Sequence, residues 1–183
     1  MYEKILIATD GSDHMNRGAN VAIGFYKIWK SEITLFHSIK HMLGKVSSSD
    51  IGVNIASSLY PSLNLSSPSA PMINTSPASG PMLSDKNRGQ KTTALTVQEV
   101  ERIGLRILQE KKMIFDEVNV PVKTKLVVRE DPEDYIVRIV PKKKYNLVLV
   151  GSTGLHSKLR KIFLGSVTKH IVDDAPCDVL VIK

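Results

Sequence analysis

The stretch LVLVGSTGLHSKLRKIFLGSVTKHIV, residues 147–172, has three glycines at points where one kind of secondary structure should give way to another. An apolar run of strand type ends at Gly151, the loop that follows contains Gly154, and Gly165-Ser166 precedes an amphipathic segment. Glycine loses more backbone entropy on folding than any other residue. Either the chain turns tightly at these points, or a ligand comes close to the backbone there. Phosphate is the ligand that a helix N-terminus favours.

Five short apolar runs around this stretch predict the strands of one sheet: 4–9, 32–38, 123–128, 146–151 and 178–183. Several are continuously apolar, which is typical of parallel strands covered on both faces. Segments with an apolar residue every three or four positions predict helices at 13–30, 97–118 and 132–144, and from about Gly165 to just before the DDAPCD turn. Pro141 is expected to kink or end the helix predicted at 132–144. The alternation predicts an α/β fold with a five-stranded, doubly wound parallel sheet.

A length of 183 residues favours a single domain, and one region interrupts its pattern. Residues 42–90 are rich in serine and proline, and no helical or strand period holds there for long. A structureless loop of this length in a compact domain is either functional or disordered. Its scattered Ile, Leu and Met side chains would pack onto the domain, a second copy or a protein partner. We expect a flap that orders in part, near Ile51–Leu65, when a ligand or a protein partner binds.

Composition narrows the class of protein. Hydrophobic residues make up 42% of the chain and charged residues 23%, which is typical of soluble globular proteins. The single cysteine, Cys177, excludes an intrachain disulfide and suits a reducing cytoplasm. No apolar run approaches the 18 residues of a membrane span, and MYEKILIATD lacks the apolar region of a signal peptide. The net charge of +7 is mixed with acidic residues in most segments, so we do not expect a nucleic-acid partner.

The carboxyl ends of the predicted strands are the candidate ligand site, because open parallel sheets bind ligands there, where the strand order reverses. The helix after Gly165-Ser166 offers N–H groups and a partial positive charge to an anion. The Asp10 carboxylate is placed to accept hydrogen bonds from ribose hydroxyls or to hold a metal ion. The alternative is that Gly151 and Gly154 only end a strand and Ser166 only caps a helix. Neither a P-loop string nor a G-x-G-x-x-G string occurs in the chain.

These motifs together carry a family resemblance. The order Gly151-Ser152-Thr153-Gly154, a spacer and Gly165-Ser166 resembles the Gly-x-x-Gly and Gly-[Ser/Thr] motif of the universal stress protein family, specifically its ATP-binding branch. The strings ILIATDGSDHMNRGANVAI, FHSI, DPEDYI and APCDVLVIK also match the family in order. The resemblance covers nearly the whole chain except 42–90. It implies a Rossmann-like fold, the sandwich of the adenine nucleotide alpha hydrolases.

Two positions depart from the family pattern. The spacer Leu155–Leu164 has ten residues where the family usually has nine, so the loop should bulge by one residue. Glu130 stands where the family usually has glycine before Asp-Pro. A side chain at that point would narrow the nucleotide cleft or add negative charge to it.

The resemblance implies an ATP site formed by these residues: Ala8, Thr9, Asp10, Ser38, Val128, Val150, Gly151, Ser152, Gly154, Gly165, Ser166, Val167 and Thr168. The first three would line the adenosine pocket, with Asp10 on the ribose or near the metal. Ser38 and Val128 would flank adenine, and 150–152 would lie beneath the ribose and α-phosphate. Gly154 and 165–168 would hold the phosphates. A Mg²⁺ or Mn²⁺ ion would be bound mainly by phosphates and water.

The resemblance also implies a homodimer through the C-terminal strand, 178–183. Three functions stay open. The first is an ATP-binding regulatory stress-response module that acts as a switch or binds a partner. The second is an interaction module of the same fold without nucleotide, using 42–90 as its contact segment. The third is an ATP-using hydrolase or adenylyl transferase, but no general base stands beside a nucleophile in the sequence. We therefore expect at most weak or partner-dependent ATP hydrolysis, and a cytoplasmic protein.

Overall fold

Five parallel strands and five helices are described by the structure, a computed structural model that covers residues 1–46, 96–152 and 164–183. In chain order these elements are β1 (Lys4–Ala8), α1 (His14–Trp29), β2 (Glu32–Ser38), α2 (Lys40–Val46), α3 (Val97–Asp116), β3 (Val122–Val127), α4 (Pro132–Lys143), β4 (Leu147–Gly151), α5 (Ser166–Asp174) and β5 (Asp178–Ile182). In the described ranges no helix is both long and apolar enough to cross a membrane.

The strands form one sheet in the order β3-β2-β1-β4-β5, and every neighbouring pair is parallel. The chain moves outward from β1 to β3, then returns across the sheet to β4 and β5. The strand order therefore reverses between β1 and β4, where the loops from the two carboxyl ends diverge. This confirms the predicted doubly wound fold and places the end of β1 beside the end of β4.

Both faces of the central strands are buried under helices, as successive residues of β1 show. Ile5 and Ile7 belong to a core cluster that includes residues of α1 and α3. Leu6 belongs to a second cluster, which includes residues of α4 and α5. All three side chains are at most 1% exposed, and burying each contributes about 1.5–3 kcal/mol. A strand that is buried on both faces has no polar side, so the continuous apolar runs are explained.

Four details of the helices differ from the expectations. The last helix includes Asp173 and Asp174 instead of ending before them. It stops because Pro176 pushes Ala175 into extended backbone. The fourth helix continues past Pro141 to Lys143, since a proline in the final turn removes one hydrogen bond and leaves the preceding turns intact.

The third helix is shorter than its apolar period suggested, and one helix was not anticipated. α3 ends at Asp116, so Val118 lies beyond it and is 44% exposed. The missed helix is α2, whose last five residues fall in the region 42–90. It forms because Ile39 and Met42 bury against α3, and tertiary packing stabilises a helix too short to show a period. The rest of the expected insertion, from residue 47, lies outside the described residues.

The contact between α3 and the sheet can be tested at Gly104. A Cβ added there would lie 2.6 Å from Cδ1 of the half-buried Leu126 and 2.7 Å from Cγ2 of the fully buried Ile39. We expect Gly104→Ala to lower the free energy of unfolding by about 1–2 kcal/mol, since overpacking outweighs the gain in helix propensity. Gly24→Ala is the matched control: no atom lies within 4 Å of its added Cβ, so it should stabilise by about 0.5–1 kcal/mol. Urea unfolding measures both, and equal effects would contradict the close approach.

Candidate functional site

The loop after β1 is shaped by its own side chains. Thr9 Oγ1 accepts a hydrogen bond from the Gly11 N–H at 3.2 Å, and Asp10 Oδ1 accepts one from the Ser12 N–H at 2.9 Å. Gly11 has a φ of 86°, in the left-handed region that favours glycine. Two successive side-chain-to-backbone turns therefore fix Asp10 at the carboxyl end of β1.

His37 joins the end of β2 to this loop. Its side chain is 1% exposed, and Nδ1 donates to the Thr9 carbonyl oxygen at 2.7 Å. Nε2 is buried and has no hydrogen-bond partner in the described structure. Burial lowers the pKa of His37, although the Thr9 carbonyl and the Asp10 carboxylate both favour the charged ring. The neutral imidazole thus holds the residue that precedes Asp10.

The ends of β2 and β3 are tied by Ser38, whose Oγ donates to the Glu130 carbonyl oxygen at 2.6 Å. The Glu130 carboxylate itself accepts two hydrogen bonds from Arg138 on α4, each 2.7 Å long. This guanidinium keeps the pKa of Glu130 below its usual value. The negative charge expected to disturb the cleft is therefore balanced by α4. Val128 is half-buried nearby and packs against the cluster that contains Ile39.

A chain of hydrogen bonds connects β4, α5 and β5. Thr168 Oγ1 donates to the Gly151 carbonyl oxygen at 2.6 Å. Ser152 accepts from the Gly165 N–H at 2.9 Å and donates its own N–H to the Ile182 carbonyl at 2.7 Å. The Thr168 hydroxyl thus holds α5 against β4. Of the Thr168 donors, the backbone N–H is therefore the one that fits the predicted phosphate contact.

Gly165, which precedes α5, has φ −59° and ψ 153°, a conformation open to every residue. Among the described residues, Gly11 is the glycine with a positive φ. Turn geometry therefore does not require glycine at 165. Of the two explanations for a glycine here, a tight turn or a ligand close to the backbone, the second remains. No side chain caps this end of α5, and no acidic residue lies in its first turn, as an anion site requires.

The structure brings most of the predicted site residues to one edge of the sheet. They are Ala8, Thr9, Asp10, Ser38, Val128, Val150, Gly151, Ser152, Gly165, Ser166, Val167 and Thr168. Gly154 lies outside the described residues, and so does the whole spacer except its last residue, Leu164. Over 1–46, 96–152 and 164–183, no three His, Cys, Asp or Glu side chains converge as a metal site.

Lys111 is a residue near this edge that the sequence analysis missed. It lies on the buried face of α3 and is 7% exposed. Its Nζ donates to Asn16 Oδ1 on α1 at 2.6 Å. Burial lowers the pKa of Lys111, while the carboxylates of Asp13 and Asp10 favour its charged form. The available signal was a lysine on the apolar stripe, four residues after Ile107.

Known proteins resemble this chain in sequence and in fold. Residues 74–183 match the model of the universal stress protein family. A universal stress protein of Methanocaldococcus jannaschii is 26% identical over 183 residues, which are 100% of this chain and 83% of that protein. These findings confirm the resemblance carried by the motifs.

Solved structures agree on the fold. The universal stress protein from Archaeoglobus fulgidus in complex with dAMP superposes with a TM-score of 0.58 at 15% identity, covering 100% of this chain and 98% of that one. A universal stress protein family protein from Arabidopsis thaliana with AMP bound gives 0.53 at 18% identity, with coverages of 98% and 90%.

The buried imidazole gives a prediction on pH. Because the pKa of His37 is lowered in the folded state, the unfolded chain takes up the proton first as pH falls below about 6.5. Stability should then decrease by at most about 1.4 kcal/mol per pH unit from this residue. His37→Asn keeps a donor for the Thr9 carbonyl and removes the titration, so it should flatten the dependence between pH 7 and 5. His14→Gln, at an exposed site, is the control, and identical profiles for both variants would contradict this role.

Proposed function

The chain belongs to the universal stress protein family, and from that premise we propose that it is a stress-response protein whose ligand is ATP. The observation that carries the proposal is the place of Gly165. This glycine precedes α5 at the edge where the strand order reverses, and its backbone angles do not call for glycine. A phosphate in contact with the backbone would explain why a side chain is absent there.

The surrounding residues fit a nucleotide. Asp10, fixed by its loop, would accept hydrogen bonds from the ribose hydroxyls. Ser38 and Val128 would flank the base, because their strands end next to one another. The relatives named above hold AMP and dAMP, which share the adenine and the α-phosphate of ATP. The remaining phosphates would lie along the first turn of α5, with Mg²⁺ or Mn²⁺ held mainly by phosphates and water near Asp10.

We propose a binding and regulatory role in place of turnover. Three of the groups at this edge that could serve as nucleophile or base are engaged in the structure: Thr168 and Ser38 donate to carbonyl groups, and His37 is buried. Occupancy by ATP would then act as a switch for a protein partner. The half-buried single cysteine, Cys177, supports a cytoplasmic location.

The phosphate site is tested by Gly165→Val. The isopropyl group would occupy the space that a phosphate needs, so we expect ATP binding to be lost. Valine tolerates the extended angles at this position, so the fold should persist. Calorimetric titration with Mg-ATP measures the affinity, and circular dichroism checks the fold.

Gly24→Ala serves as a control, because this glycine lies in α1 with open space around it. It should bind ATP as the unaltered protein does. Unchanged affinity in Gly165→Val would remove the phosphate assignment. Absence of ATP binding in the unaltered protein would favour an interaction module of this fold without nucleotide.

We also propose that the protein is a homodimer through β5, because the two edges of the sheet differ in chemistry. The β3 edge carries exposed Lys123 and Lys125, and charged side chains protect an edge from pairing. The β5 edge carries half-buried Val179, Leu180 and Val181. Antiparallel pairing of two β5 strands about a two-fold axis would cover it.

Light scattering at micromolar concentration should give twice the chain mass of 20.2 kDa. Val179→Lys copies the protection of the β3 edge and should give the single-chain mass. The control is Val137→Lys, at a position on α4 that is 40% exposed, and it should leave the dimer intact. A single-chain mass for the unaltered protein would overturn the proposal.

A further inference from the structure

Lys111, a buried cation hydrogen-bonded to the start of α1, is not among the residues of the proposed nucleotide site. Lys111 occupies a position on α3 whose neighbours along the stripe, Ile107 and Phe115, are apolar and buried. Taking an ammonium out of water is costly, and an apolar side chain at such a position is often neutral or stabilising. The lysine therefore calls for a role beyond packing.

The ammonium crosses from α3 to the start of α1. Nζ donates to Asn16 Oδ1 at 2.6 Å, and Asn16 lies in the first turn of α1, directly after the loop. Electrostatic attraction from Asp13 and Asp10, and from Glu110 on α3 itself, favours the charged ammonium and opposes the effect of burial on the pKa of Lys111. The hydrogen bond from Lys111 therefore ties α3 to the first turn of α1, directly after the loop that carries Asp10.

Asp13, the residue directly before α1, does not cap the helix with its side chain. Asp13 precedes α1 at the N-cap position, where an aspartate ordinarily accepts a hydrogen bond from the first turn. Here its backbone is helical, φ −67° and ψ −23°, and its side chain makes no cap bond. The Asp13 carboxylate is exposed, and among the charges that favour the protonated Lys111 ammonium its contribution is the largest.

We propose that Lys111 is the positioning residue of the ribose subsite. From α3, its ammonium anchors the start of α1 and the loop before it, so that Asp10 stays placed to accept the ribose hydroxyls. This inference rests on the proposed nucleotide function. It goes further in naming the residue that sets the preference for a ribonucleotide over a deoxyribonucleotide.

The test compares AMP with dAMP, which differ by the 2′-hydroxyl. Lys111→Met keeps the length of the side chain and removes its charge. We expect AMP affinity to fall about tenfold, the equivalent of one charge-assisted hydrogen bond, while dAMP affinity falls less. The AMP-to-dAMP preference should therefore shrink. The melting temperature should hold, because methionine avoids the cost of burying an ammonium.

Lys112→Met is the matched control, the same substitution one position along, where the lysine pairs with Asp116 at the surface. It should change neither affinity nor preference. Asn16→Ala removes the acceptor of the Lys111 hydrogen bond and should lower AMP affinity as Lys111→Met does. It provides the same test if Lys111→Met folds poorly. Equal loss of AMP and dAMP affinity, or no loss, would overturn the inference.

Hydrogen exchange separates this inference from the proposed function, because it needs no ligand. The Ser12 amide, held by Asp10 Oδ1, should exchange about tenfold faster in Lys111→Met than in Lys112→Met, matching the affinity change. If the unaltered protein binds no AMP but the Ser12 amide exchanges faster in Lys111→Met, the nucleotide function is wrong and the positioning of the loop by Lys111 stands. If AMP binds and the amide is not released, the positioning role is wrong.

Discussion

The reversal of strand order between β1 and β4 is the constraint on which the rest of the molecule depends. In an all-parallel sheet every strand ends at the same edge, and the connections on either side of the reversal leave toward opposite faces. The end of β1 and the end of β4 therefore lie beside each other without a loop crossing between them. Asp10 and Gly151 follow from that geometry, and so does the crevice in which a ligand would lie.

Polar groups at this edge are rigid because most are committed to backbone partners. Hydroxyl groups of Ser38 and Thr168 donate to carbonyl groups on neighbouring elements. A buried polar group without a partner costs about 1–3 kcal/mol, so each such bond makes the alternative conformations expensive. The site is thereby preorganised before any ligand arrives, which reduces the entropy lost on binding. His37 Nε2 is an exception among the described groups, although Nδ1 of the same ring is hydrogen-bonded to the Thr9 carbonyl oxygen.

The sequence predicted the elements that depend on local period and missed those that depend on distant partners. Buried strands such as β2 appear as apolar runs, and their bounds were predicted to within one residue. The helix α2 shows no period because it is held by Met42 against α3, which comes more than fifty residues later. Glu130 looked like a misplaced charge because its partner, Arg138, lies on the following helix.

The same reasoning separates the strand-end residues, whose edge of the sheet could be predicted, from Lys111, whose position could not. Parallel pairing alone assigns strand ends to one edge, so Asp10 and Ser38 could be predicted without coordinates. Lys111 and Asn16 are 95 positions apart, and their contact requires that α1 and α3 pack on the same face of the sheet. No sequence pattern within either helix predicts that the two helices pack together. A lysine on an apolar stripe was the visible sign, and only the fold gives it a partner.

The proposed ligand site and the proposed dimer edge are both hydrogen-bonded to one residue, Ser152. Ser152 accepts from the Gly165 N–H at the start of α5 and donates to the Ile182 carbonyl at the end of β5. A phosphate on the first turn of α5 would therefore act on a helix that is hydrogen-bonded, through a single residue, to the edge strand. Coupling between two sites requires a contact path and two arrangements that each ligand binds differently. The path exists in the described residues, and it passes through Ser152, the residue that follows the end of β4.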